Sequence, residues 1–168
     1  MDTSALLLDI YGRIPPLVVE AVEGLDAEQL RRTPAPGTNS IGWLVWHLIR
    51  VLDHHGSELL GTDQVWVSGD WAARCGLEPD PSNTGYAHGD DEVRSVAPES
   101  PDVLVGYLDA VHARTRTLLQ GLSDDDLDRV VDRRWDPPVA MGVRLVSIAD
   151  DCLEHIGQAA YVRGLLGY

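Results

Sequence analysis

Four long segments of this chain repeat apolar residues at the spacing of an α-helix, and this pattern constrains the fold more than any other feature. The segments run from about Ser4 to Gly24, from Asn39 or Ser40 to Leu60, from Pro101 to Gly121 and from Val143 to Leu166. Apolar residues three and four positions apart give each helix one stripe to bury. Because strand signals are weak throughout, the pattern predicts an all-α fold, a single-domain four-helix bundle over residues 1–168.

Helix-breaking residues interrupt and separate these segments. Pro15 and Pro16 each remove a backbone amide donor inside the first segment, which predicts a kink or a break there. Asp26 can cap a short helical turn that follows. The long connection between the second and third helices, residues 62–100, is predicted as a short packed helix or turn near residues 64–75 followed by a loop. A connection of this length permits a crossover and often forms the wall of a site.

The charge of the chain argues against two classes of partner. The formal net charge is −14, from 27 acidic residues against 13 basic ones, and every basic residue is arginine. A negative field of this size repels nucleic-acid phosphates and anionic lipids, so neither a nucleic acid nor a membrane surface is an expected partner. The N-terminus lacks the basic segment of a signal peptide, and no apolar run is long enough to span a bilayer. We therefore expect a cytoplasmic protein.

The fourth predicted helix carries two polar residues in the middle of its buried stripe. The stripe advances in steps of three and four through Arg144, Ile148, Asp151, His155, Ala159, Val162 and Leu166. Asp151 and His155 therefore face the core together, one turn apart. Burying a carboxylate without a partner costs several kcal/mol. The residues alone leave two explanations open: Asp151 and His155 pair with each other or with Arg50 or Arg144, or they bind a cation, as i, i+4 pairs do in helical metal sites.

The second predicted helix offers a third ligand for such a cation. His47 borders the apolar stripe of that helix. A single histidine at such a position is also compatible with a hydrogen-bonded core residue, so spacing alone leaves a buried polar network as an alternative. His54 lies two turns further along, about 10 Å away, which is too far to share the ion but suitable for lining a pocket. Glu154 is an alternative ligand to Asp151.

Two segments of the chain resemble the DinB-like superfamily, and in particular the amino-terminal, metal-binding domain of mycothiol-dependent maleylpyruvate isomerases. They are SIGWLVWHLIRVLDHH, residues 40–55, and DDCLEHIGQAAYVRGLL, residues 150–166. The resemblance covers nearly the whole chain, and the run HIGQ is similar to a fourth-helix signature that often reads HRGQ. Many members hold a metal on one histidine of the second helix and an H-x3-H pair of the fourth.

The resemblance implies metal ligands at His47, Asp151 and His155. Asp151 departs from the common pattern, because it occupies the place of the first histidine of the H-x3-H pair. The isomerase branch has a glutamate there, one methylene longer than aspartate. The resemblance further implies that Arg50, His54 and Gln158 line the pocket and that members of this kind often form homodimers.

The resemblance also implies a chemistry. Members of known activity are mostly thiol-dependent and use a metal, usually zinc, to activate a low-molecular-weight thiol such as mycothiol or bacillithiol. Mixed histidine and carboxylate ligands suit zinc, with nickel, manganese and iron as alternatives. We therefore expect a metal-dependent thiol S-transferase whose partners are a small-molecule thiol and a small electrophile. The chain ends at Tyr168 without a counterpart of the isomerases' carboxy-terminal domain, so maleylpyruvate isomerisation itself is not expected.

Two other functions are compatible with the same residues. One is a non-catalytic bundle that binds a metal or a small molecule without turnover. The other is a purely structural role, in which the polar residues of the second and fourth helices satisfy one another and no metal is bound.

Overall fold

The structure is a computed structural model that describes residues 2–168, and it is predominantly helical, as predicted. In chain order the α-helices of the described residues are α1 (Thr3–Gly12), α2 (Ile14–Val22), α3 (Ala27–Arg31), α4 (Ile41–Leu60), α5 (Val65–Ser68), α6 (Trp71–Arg74), α7 (Asp90–Ser95), α8 (Pro101–Gln120) and α9 (Met141–Leu166). A turn of 3-10 helix covers Asp124–Asp128. None of these helices combines the length and the apolar character needed to cross a membrane.

The predicted break near the two prolines divides the first segment into α1 and α2. The first helix ends at Gly12 and the second begins at Ile14. Pro15 and Pro16 lie in the first turn of α2, where backbone amides have no acceptor within the helix. Their missing N–H groups therefore cost no hydrogen bond at this position.

The helices α4 and α9 run antiparallel and pack along much of their length. His47 lies beside Asp151, while His55, two turns later on α4, lies beside Arg144, two turns earlier on α9. Helix α8 packs on α4, and α2 packs on α8 and α9. The hydrophobic core fills the space between these elements. The side chain of Ser40 caps α4 by accepting a hydrogen bond from the amide of Trp43 at 3.1 Å.

The connection between α4 and α8 is more structured than expected. It contains α5, α6 and also α7, which was not predicted because its surroundings are rich in Pro, Gly and Asn. The signals for α7 are nevertheless present: three acids occupy its first turn, and the Glu92 carboxylate accepts a hydrogen bond from the Gly89 amide at 3.0 Å. These interactions stabilise a helix start.

The residues before α9 form a short antiparallel hairpin, although no strand was predicted. Its strands are β1 (Val130–Asp132) and β2 (Val139–Ala140), and both contact α9. The hairpin places the buried carboxylate of Asp132 2.8 Å from the guanidinium of Arg144. Strands this short carry too few residues for an alternating pattern to be recognised.

Candidate metal centre

His47, Asp151 and His155 meet between α4 and α9, with ligand atoms that lie within 4.8 Å of one another. The Asp151 Oδ1 atom is 3.9 Å from His47 Nε2 and 3.7 Å from His155 Nε2. Both distances are too long for a hydrogen bond. Ligand atoms of a tetrahedral zinc site lie roughly 3.4 Å apart, so small side-chain rotations would bring all three atoms to coordination distance.

Each imidazole is held from behind by a hydrogen bond through its other nitrogen. His47 Nδ1 contacts the backbone carbonyl of Thr84, and His155 Nδ1 lies 2.8 Å from the side-chain oxygen of Gln158. Because a carbonyl oxygen can only accept, both Nδ1 atoms carry the proton. Each Nε2 atom is then unprotonated in the neutral ring, and both lie within 4 Å of the Asp151 carboxylate. Partners of this kind orient the histidines of metal sites and fix their tautomer.

Burial controls the protonation of this group. His47 is 7% exposed, and burial lowers its pKa to about 4, against the opposing effect of its hydrogen bond to Thr84. At neutral pH His47 is therefore in the neutral form that binds metals. Burial raises the pKa of Asp151, an effect that His155 opposes. The Asp151 Oδ2 atom is buried without a hydrogen-bond partner among residues 2–168.

The two arginines that could have neutralised Asp151 are engaged elsewhere. Arg50 contacts Asp53, with Nη1 3.4 Å from the carboxylate. Arg144 contacts Asp132. The sequence-based alternative of an arginine partner for Asp151 is therefore wrong. The Asp151 side chain is 32% exposed, but its Oδ2 atom is buried. A cation held by Asp151 and the two histidines would satisfy that atom, because buried charged groups are normally paired or coordinate metals.

A loop from the α4–α8 connection covers the His47 side of the group. Gly85 has a φ of +93°, and a Cβ atom built on it would lie 2.8 Å from His47 Nδ1 and 2.9 Å from Trp46. Only glycine allows the backbone to come this close at this φ. The His47 ring also stacks on Trp43, with ring centroids 4.8 Å apart. His47 is thus held by contacts with both an indole and a backbone segment.

Arg50 was expected to line the pocket, but it lies inside the protein and anchors this loop. Its side chain is fully buried and donates hydrogen bonds to the backbone carbonyls of Asn83 at 3.0 Å and Pro81 at 3.1 Å. Asp53 balances the charge and accepts hydrogen bonds from the Trp66 amide at 2.8 Å and from other donors. This buried pair therefore holds the segment that positions Thr84 and Gly85.

An open cavity of about 630 Å³ adjoins the group, and His47 and Asp151 contribute to its lining. His54 is among its lining residues. Gln158 is not among its lining residues; it lies exposed on α9 and acts through its contact with His155. Another part of the lining was not predicted from the sequence: β1 and the residues after it contribute Asp132, Arg134 and Trp135.

A second group of ligand-type residues comprises His54, His55 and Glu58. Ligand-type atoms of this group already have partners. His55 Nδ1 is 3.0 Å from Glu58 Oε2, and the guanidinium of Arg144 is 3.2 Å from the same ring. A fixed positive charge at that distance repels a metal ion. The group of His47, Asp151 and His155 is therefore the better candidate centre.

Comparisons with known proteins place this arrangement in a family. A sequence profile described as the DinB superfamily matches residues 12–159. A solved structure described as the conserved protein of locus from Enterococcus faecalis is 32% identical, with a TM-score of 0.89 over 98% of this chain and 97% of that chain. A comparison with curated proteins found no match. The profile match includes α4 and all three residues of the candidate centre, and the chain belongs to the DinB superfamily.

Proposed function

We propose that this protein is a metal-dependent S-transferase that joins a low-molecular-weight thiol, of the mycothiol type, to a small electrophile. In this proposal His47, Asp151 and His155 are the metal ligands, and they project from two helices of a four-helix bundle. Zinc suits two imidazoles and one carboxylate best, with nickel, manganese and iron as alternatives.

One observation carries the proposal: three metal-ligand atoms face one another while the remaining nitrogen of each imidazole is bonded elsewhere. In a purely structural network Asp151 would accept hydrogen bonds from the histidines, yet it lies 3.7 and 3.9 Å from their Nε2 atoms. Its second oxygen is buried without a partner in residues 2–168. A cation accounts for both facts, because it binds carboxylate and neutral imidazole at the same point.

Three protein ligands suit catalysis better than a closed structural site, because they leave a coordination position open. A divalent metal held by these three ligands would lower the pKa of a bound thiol, so that the thiolate, the nucleophilic form, would exist near neutral pH. The protein's own residues then orient the reactants. Thr84 and Gln158 hold the two imidazoles, Trp43 covers one of them, and the cavity beside Asp151 has the volume of a small-molecule site.

The metal itself is tested by elemental analysis of the purified protein. We expect about one equivalent of metal, lost in His47→Ala and Asp151→Ala. His54→Ala is the matched control, because it removes a histidine of the second group and should leave the stoichiometry unchanged. A metal content that survives both ligand substitutions would disprove the assigned site.

The chemistry is tested by thiol consumption with a model aryl halide as electrophile. Mycothiol, bacillithiol and glutathione should be compared with metal-loaded and metal-depleted protein. We expect at least one of these thiols to be consumed, and its consumption should require both the metal and His47. Stoichiometric metal with no consumption of any of the thiols would reject the transferase and favour a non-catalytic metal-binding bundle.

A further inference from the structure

An unusual concentration of arginine surrounds the hairpin at the far wall of the cavity. In a chain of net charge −14, four of the 13 basic residues line two adjoining cavities there: Arg129, Arg133, Arg134 and Arg144. The two cavities share Asp132, Arg134 and Arg144. Glu58 and Asp132 line the same wall, so its basic residues outnumber its acidic ones by two, in contrast to the chain as a whole. This local excess of positive charge favours anions over the rest of the surface.

A single buried carboxylate fixes two of these guanidinium groups without neutralising them both. Asp132 accepts hydrogen bonds from Arg134 Nε at 2.9 Å and Nη2 at 2.8 Å, and from Arg144 Nη2 at 2.8 Å. Asp132 thus offers one negative charge to two positive charges, and the nearby Glu58 carboxylate contacts His55 rather than either guanidinium. The Arg144 side chain is 14% exposed and also contacts His55, so it is held in place, whereas the Arg134 side chain is 75% exposed. Fixed donors bind an anion with less loss of side-chain entropy than mobile ones.

The cavity connects this basic wall to the candidate metal centre. Arg144 precedes Asp151 by seven residues on α9, which is two turns or about 10 Å. Val51 and Trp135 contribute apolar surface to the cavity lining. The cavity therefore has a metal-ligand end, an apolar portion and a guanidinium end.

We propose that the guanidinium end, formed by Arg134 and Arg144, binds a carboxylate of the substrate. The substrate is then an elongated organic acid whose carboxylate lies about 10 Å from the atom held at the metal centre. A carboxylate is planar and matches the fork of donors that a guanidinium presents. This inference rests on the proposed function for the identity of the metal-bound end. The carboxylate belongs either to the thiol or to the electrophile.

The test compares two probes that differ only in their terminal group, the carboxylate of mercaptooctanoate and the hydroxyl of mercaptooctanol, by calorimetric titration of the zinc-loaded protein. We expect the acid to bind about tenfold tighter, since a charge-assisted hydrogen bond contributes on that order. Arg134→Gln should reduce this preference several-fold and Arg144→Gln should do the same. Arg133→Gln is the matched control, because Arg133 lines only the neighbouring cavity, and it should keep the preference. Equal binding of both probes, or a preference unchanged in both Arg134→Gln and Arg144→Gln, overturns the inference.

A second pair of probes separates this inference from the proposed function. Octanoate and octanol carry no thiol, and their binding to metal-depleted protein reports on the guanidinium end alone. A preference for octanoate that is lost in Arg134→Gln supports the carboxylate site even where no thiol is consumed. No such preference in a protein that does consume thiol rejects the carboxylate site and leaves the transferase in place. In active protein, Arg134→Gln should raise KM for whichever reactant carries the carboxylate, which identifies its source.

Discussion

Gly85 offers the sharpest test of how the loop positions the candidate metal centre. Replacement by alanine would place a methyl group 2.8 Å from His47 Nδ1, 2.9 Å from Trp46 and 3.2 Å from Trp43. None of these neighbours can withdraw easily, because the His47 ring stacks on Trp43 and Trp46 is fully buried. The loop should therefore move outward and break the contact between the Thr84 carbonyl and His47.

The structure allows the size of this effect to be worked out. An alanine at a φ of +93° costs about 1–2 kcal/mol, because its Cβ crowds the neighbouring carbonyl oxygen. Overpacking of a well-filled region adds about 1–3 kcal/mol. We therefore expect Gly85→Ala to lower the free energy of unfolding by about 2–5 kcal/mol. Losing the partner that orients His47 should weaken metal binding by about 10–100-fold.

Gly37→Ala separates the backbone effect from the steric one. Gly37 also has a positive φ, +74°, but a Cβ atom there would meet nothing within 4 Å. Gly37→Ala should therefore lower the free energy of unfolding only by the cost of the backbone conformation, about 1–2 kcal/mol, and leave metal affinity unchanged. Urea unfolding of the metal-depleted proteins gives the stability difference, and metal titration against a competing chelator gives the affinity. The reasoning is refuted if the two variants lose equal stability and bind metal equally well.

Three further predictions concern protonation, the buried ion pair and one helical glycine. In metal-depleted protein, stability should fall as the pH drops from 6.5 towards 4, because His47 has its ordinary pKa of 6.5 in the unfolded chain but a pKa of about 4 in the folded protein. Urea unfolding at several pH values should show that the free energy of unfolding falls by roughly 3 kcal/mol less in His47→Gln than in the unsubstituted protein. An identical pH profile in the two proteins would contradict this. Arg50→Met should lower the free energy of unfolding by about 3–5 kcal/mol in the same assay, because Asp53 stays buried without its countercharge. A loss below about 1 kcal/mol would show that the ion pair is dispensable for stability. Gly157→Ala should raise the free energy of unfolding by about 0.5–1 kcal/mol, because this position is helical and its Cβ would meet no atom within 4 Å; an unchanged or lower Tm would count against it.

The long helices and two of the three residues of the candidate centre were predictable from local sequence. Helical spacing is a property of neighbouring residues, so α4, α8 and α9 were predicted to within a few residues of their ends. The i, i+4 relation of Asp151 and His155 follows from the helix itself. The Ser40 cap is likewise a local interaction. The short helix α7 and the hairpin were missed, because a few residues in a polar segment carry too little periodicity to exceed the loop composition around them.

The sequence by itself determined that an acid and an imidazole share one helix face, because that depends only on 3.6 residues per turn. Only the tertiary structure decided that His47 lies opposite them, since this requires α4 and α9 to pack antiparallel in one register. It also decided that Arg50 anchors a loop and that Gly85 approaches the site. These contacts join residues more than 30 positions apart in the chain. Their pairing is set by the shape and hydrogen-bonding needs of the whole core, which no local pattern encodes.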